Sequence, residues 1–155
     1  MKINKQLAAA SLVLALASTT GAMAGKNDLT LTTPFGDSPA LAFSWGASNS
    51  TSLPGGGGGG VGKANIQDVS VTRTPDAQST KLLESLVKGT FLTSVTVSKG
   101  PMKLILTDVL ISSYTTGGAD GDKSTESISM KFRRFSYTAD GGVPLCFDIS
   151  TNTTC

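Results

Sequence analysis

The chain has 155 residues and not one histidine. That absence removes Ser-His-Asp and Cys-His catalysis, because both need an imidazole base. Cysteine is scarce too, with Cys146 and Cys155 the only two. Two thiols and no histidine fall short of the four ligands of a structural zinc site. Aromatic residues make up 6% of the chain and charged residues 15%. Neither a large aromatic core nor a densely charged surface is available. No apolar run reaches the ~20 residues a membrane-spanning helix needs. The stretch from Leu7 to Ala17 is too short to cross.

That short run sits in a familiar frame. Met1-Lys2-Ile3-Asn4-Lys5 is basic, and Ala22-Met23-Ala24 supplies small residues two apart. A basic start, a short apolar centre and an A-x-A exit describe a secretory signal peptide, with cleavage expected after Ala24. A buried N-terminal helix is the other reading. On the first reading residues 1–24 are a signal peptide, residues 25–155 form one β domain, and the mature protein is periplasmic or extracellular.

Without Lys2 and Lys5, eleven Lys and Arg balance eleven Asp and Glu. A neutral surface argues against a nucleic-acid partner, since that binding needs clustered cations to neutralise phosphates. The local group Lys131, Arg133 and Arg134 reads as a solvated strand face. An oxidising compartment makes a Cys146–Cys155 disulfide the default. Closing so short a loop contributes about 2–3 kcal/mol by loop entropy. Two free thiols or an intermolecular bridge are the alternatives.

What is abundant is β pattern and glycine. Leu29 to Thr32 is a short strand candidate, and Leu41, Phe43 and Trp45 alternate through Pro39 to Trp45. Residues 46–63 form a Gly-rich loop with six consecutive glycines, Gly55 to Gly60, and no side chains to build a core. Ala64 to Arg73 reads as one strand. Ser79 caps a helix over Thr80 to Lys88, with Leu82, Leu83, Leu86 and Val87 as its stripe and Gly89 as its stop. Phe91 to Ser98, with Phe91, Val95 and Val97 apolar, Met102 to Ser113, Thr125 to Thr138 and Leu145 to Ile149 follow as strands. In Thr125 to Thr138 the apolar parity slips between Phe132 and Phe135, which predicts a β-bulge at Arg133-Arg134. The fold class is mainly β, a barrel or sandwich with one lateral α-helix.

Motifs that carry chemistry fail their context. Gly57 to Lys63 matches G-x-x-x-x-G-K, but Ala64 stands where Ser or Thr must hold magnesium, and a strand follows where a helix is needed. Asp120, Asp122 and Glu126 have an alternating spacing that could hold calcium, but no twelve-residue calcium loop follows, so they read as loop acids. Asn49-Ser50-Thr51 and Asn152-Thr153-Thr154 are glycosylation sequons, relevant only in a eukaryotic secretory pathway. No catalytic, cofactor or metal residues are assigned, and no enzymatic activity is expected.

The order of segments then resembles a family. Leu106-Thr107-Asp108-Val109-Leu110-Ile111-Ser112-Ser113-Tyr114, a Gly-rich loop, Thr125-Glu126-Ser127-Ile128-Ser129-Met130-Lys131-Phe132 and Phe135-Ser136-Tyr137 resemble the core signature of Hcp. Hcp is the haemolysin co-regulated, tube-forming protein of bacterial type VI secretion. Phe43-Ser44-Trp45-Gly46, Ile66 to Thr72, Lys81-Leu82-Leu83 with Gly89, and Phe147-Asp148 resemble the family's flanking strands, helix and closing strand. The resemblance covers nearly all of residues 39–152.

It implies a β-barrel-like subunit that forms hexameric rings, stacks them into a tube and carries effector cargo in the lumen. It also implies that the loop at Gly46 to Lys63 contacts neighbouring copies. Asn49, Leu53 and Gly57 in that loop, and Glu126 beside the Gly117 to Asp122 loop, are the candidate interface residues. Unpaired edges of a seven-strand domain add a physical reason to assemble. The alternative is an exported monomeric binding module that recognises a peptide or glycan, or an extracellular fibre subunit, on the same fold.

Overall fold

The computed structural model describes residues 28–51 and 61–155. The expected signal peptide, Leu53, Gly57 and the glycine run lie outside these residues. The described elements are β1 (Leu29–Thr33), β2 (Gly36–Ser44), β3 (Ala47–Thr51), β4 (Val61–Ile66), β5 (Val69–Arg73), α1 (Ser79–Lys88), β6 (Leu92–Lys99), β7 (Met102–Gly117), β8 (Thr125–Thr138), β9 (Leu145–Asp148) and β10 (Thr153–Thr154). The main sheet runs β10-β9-β8-β5-β2-β1-β6-β7, and β7 pairs back onto β8. Six strands therefore close into a barrel, every neighbour antiparallel. Strands β9 and β10 extend from β8 as a flange, and β3 and β4 form a separate two-stranded hairpin. The barrel closes on itself, so the argument that its strands need a neighbouring copy to cover their edges does not apply to it.

Period-two patterning fills the barrel. Leu31, Val69, Val71, Val95, Val97, Leu104, Leu106, Val109, Ile128 and Met130 are all sealed from solvent. Leu82 of α1 joins them, because the helix packs over β7. Gly89 closes α1 in the left-handed region at φ 63° and donates its N–H to the Leu86 carbonyl. An L-residue there would crowd its own backbone.

Several expectations shift. The loop expected over residues 46–63 is in part a β-hairpin. Its Ser- and Thr-bearing arms pair Ala47 with Ile66 and Asn49 with Ala64, and Gly62 passes so close to the Ser50 backbone that a Cβ would collide. The strand expected over Ala64 to Arg73 breaks at Gln67-Asp68 into β4 and β5, because the two halves pair with different partners. Ser79 is the first helical residue rather than the cap, and Gln78 precedes it without a side-chain cap bond. Leu83 and Val87 are 41% and 75% exposed. The helix rests on the face of Ser79, Leu82 and Ser85, so only part of the expected stripe is covered. Leu41 and Phe91 are also exposed. A bulge between Ala40 and Ala42 turns Leu41 outward.

The slip in β8 has a different cause from the one expected. Pairing with β7 keeps its register across the site, with Thr107 opposite Arg134 and Val109 opposite Phe132. No extra residue is inserted at Arg133-Arg134. Instead both strands change phase together: β7 buries Leu106 then Val109, and β8 buries Met130 then Phe135. Asp108, at φ 54°, makes the step in β7. Its carboxylate reaches Arg133, 3.4 Å away, on the other strand. Matched irregularities return both apolar rows to the barrel interior without a two-against-one bulge. The bulge that does occur in this pair lies between Ile111 and Ser113.

Candidate functional site

At the end of the barrel under the start of α1, the inward rows stop being apolar. After Val69 and Val71, the next inward position on β5 is Arg73, and one step before Ile128 on β8 is Glu126. They are register partners. Arg73 Nε donates to Glu126 Oε1 at 2.6 Å. Arg73 Nη1 donates to Ser38 Oγ at 2.5 Å and to Asp76 Oδ2 at 2.8 Å, while the Tyr114 hydroxyl donates to Glu126 Oε2. Asp76 also accepts the Ser38 hydroxyl and the Gln78 amide. Gln78 ties this cluster to β1 and β2 through Thr33, at 2.9 Å, and the Asp37 carbonyl.

This plug holds the helix entry onto the barrel. Partial burial works against ionised Asp76, yet the Ser38 hydroxyl, the Gln78 amide and Arg73 hold its carboxyl below the usual carboxylate value. Burial, and then the bond to Glu126, raise the Tyr114 phenol above its ordinary value. The groups answer one another as structural ion pairs and hydrogen bonds.

Glu126 is therefore not a loop charge beside a neighbouring copy. It is 1% exposed and satisfied within its own barrel, and it does not join Asp120 and Asp122 in an acidic cluster. Asn49 lies in β3 on the exposed hairpin. The structure does not bring Asn49 and Glu126 together, and Leu53 and Gly57 fall outside the described residues. Arg73 was not singled out from the sequence. The signal was there, since Val69-Val71-Arg73 continues one inward row.

Two further regions face outward. Phe91, Leu110 and Phe132 line an open apolar groove on the barrel wall, rimmed by Asp108, Lys131 and Arg133. In the flange, Cys146 and Cys155 form a disulfide with Cα atoms 5.2 Å apart. Arg134 reaches Asp148 at 3.0 Å, so the expected solvated cation face is partly paired. The Ser150 hydroxyl is the largest influence holding the Asp148 carboxyl well below the ordinary carboxylate range. Arg134 and the amides of Ser150 and Thr151 act in the same direction, against partial desolvation.

No curated protein matches the sequence. The fold has solved counterparts. A type six secretion system protein superposes with TM-score 0.72 at 21% identity, covering 82% of this chain and 98% of its own. Hcp1 from Salmonella typhimurium gives 0.66 at 16%, covering 82% and 97%. Hcp1 from Flavobacterium johnsoniae gives 0.60 at 18%, covering 77% and 98%. At these identities the likeness establishes the fold. The sequence profile described as "Type VI secretion system effector, Hcp" matches residues 36–138. That span runs from β2 through β8 and includes α1 and the Arg73–Glu126 pair, and on it the chain belongs to the Hcp family of type VI secretion proteins.

Proposed function

We propose that this protein is a structural subunit that assembles into homo-oligomeric rings, most simply hexamers, and is not an enzyme. The rings stack, and their lumen holds effector cargo. The observation that carries the reading, beside family membership, is the β3–β4 hairpin. Its strands pair with each other and not with the barrel sheet. A lone two-stranded hairpin is marginal in water, so the surface of a neighbouring copy is its natural support. Asn49, on this arm, is the interface residue retained; Leu53 and Gly57 fall outside the described residues.

Export belongs to the same proposal. The N-terminal pattern directs the chain out of the cytoplasm, and the flange disulfide is of the kind an oxidising compartment installs.

Native mass measurement and negative-stain imaging of the purified oxidised protein test the reading. Rings of six, lost when residues 48–65 are replaced by a short Gly-Ser linker, support it. A monomer at ~100 μM, far above the micromolar dissociation constants of weak assemblies, overturns it. Fibres without rings favour an extracellular filament.

A further inference from the structure

Among the described residues the eight-stranded sheet has one open margin. On one side β7 returns to β8 and closes the barrel, and on the other the order ends β9-β10. The inner side of β9 is well held. Phe147 stands opposite Phe135 with ring centroids 5.9 Å apart, and Asp148 takes Arg134. Among the described residues its outer side is covered only by β10, which is two residues long. The cover consists of Thr153 opposite Asp148, Thr154 opposite Phe147, and the Cys155 N–H donating to the Cys146 carbonyl at 3.1 Å.

The turn before β10 is built separately. Asp148 Oδ1 accepts the Ser150 amide and hydroxyl, and the Thr151 and Thr153 hydroxyls bond each other. These side-chain bonds stop at Thr153. Beyond it residues 154–155 are held by the short β10 ladder, the Cys155 N–H bond and the disulfide. A two-residue strand without tertiary support belongs to the low-stability end of local opening.

We propose that the Cys146–Cys155 bridge is a redox-controlled cover over the outer edge of β9, and that its reduction opens this edge for antiparallel pairing with β9 of a second copy. Cys155 is exposed and Cys146 half-buried, so a thiol reductant has access to the Cys155 sulfur. A thiolate of the reductant attacks that sulfur, the S–S bond breaks, and Cys146 leaves as thiolate and takes a proton. A second reductant thiol resolves the mixed disulfide. The protein gains two thiols, and two reductant thiols become one disulfide.

A second copy is the occupant because an uncovered edge presents unpaired donors and acceptors. The same edge turned about a two-fold axis matches them as an antiparallel pair. Val143, 90% exposed, and Leu145, 50% exposed, stand at the entry to the strand and add apolar contact once two copies meet. The inference is independent of ring formation, since its readout is the change on reduction within one preparation.

Amide hydrogen exchange and native mass are measured on the oxidised protein, on the same sample in dithiothreitol, and on Cys155→Ser and Cys146→Ser. Expected in every bridge-free state is at least ~10-fold faster exchange at residues 153–155, with β7 and β8 unchanged. Expected too is a doubling of the mass relative to the oxidised protein, reversed on reoxidation of the wild type. Equal exchange at residues 153–155 with and without the bridge overturns the proposal. A released β10 with no gain in mass at ~100 μM also overturns it. Loss of protection in β7 and β8 as well makes the bridge a staple of the whole barrel, which defeats the proposal equally.

Discussion

Arg73 and Glu126 meet at 2.6 Å with neither side chain exposed to solvent. They lie 53 residues apart in sequence and directly opposite one another in the β5–β8 ladder. An ion pair taken out of water is tolerated only when its remaining hydrogen-bonding capacity is also met. Ser38, Asp76 and Tyr114 meet it here.

Removing one partner strands the other. Arg73→Ala is expected to cost about 3–5 kcal/mol, measured by urea unfolding. Arg73→Met combined with Glu126→Leu is expected to lie closer to wild type than Arg73→Ala, because no charge is left unpaired. A single substitution costing under ~1 kcal/mol would show that the pair behaves as a surface bridge.

The helix stop makes a smaller prediction. Nothing lies within 4 Å of a Cβ built on Gly89, whose φ is 63°, so the cost of Gly89→Ala is conformational. It is expected to be about 1 kcal/mol, seen as a lower urea midpoint with unchanged slope and unchanged native mass. A neutral substitution would show that the helix end relaxes out of the left-handed region.

Acid is expected to destabilise the fold through Asp76 and Asp148. Both carboxyls titrate below their ordinary value in the folded protein. The unfolded chain therefore takes up protons first, at a pKa of about 3.9. The stabilisation from these groups is fully present well above that pH and is lost as pH falls through ~4 and below. Unfolding midpoints are expected to be flat above pH ~5 and to drop below it. Asp148→Asn should flatten part of that slope, and an unchanged slope would remove Asp148 from the account.

Export is checked at the N-terminus. Sequencing of protein recovered outside the cytoplasm is expected to begin at Gly25. An intact Met1 on cytoplasmic protein would overturn the signal-peptide reading and leave the disulfide to be formed after lysis.

The sequence by itself determined the elements wherever the signal was local. Thr125 to Thr138 is legible as a strand because alternation needs only neighbours, and β8 has those bounds. Gly89 is legible as a helix stop because left-handed backbone is a property of one residue. The order of segments along residues 39–152 was enough to point to the Hcp family, whose profile covers residues 36–138.

The tertiary structure alone decided what faces inward, and which polar groups go with it. Alternation defines two faces of a strand without saying which is covered; Leu41 and Phe91 belong to the apolar pattern of their segments and yet lie outside. A charge in an alternating row reads as solvent-facing until a partner is known. Arg73 and Glu126 find each other only when β5 lies against β8, and Ser38 and Asp76 complete the set only when β2 and the entry to α1 arrive. Burial of a charge is a property of the assembled network, because it is stable only when every donor and acceptor is met at once.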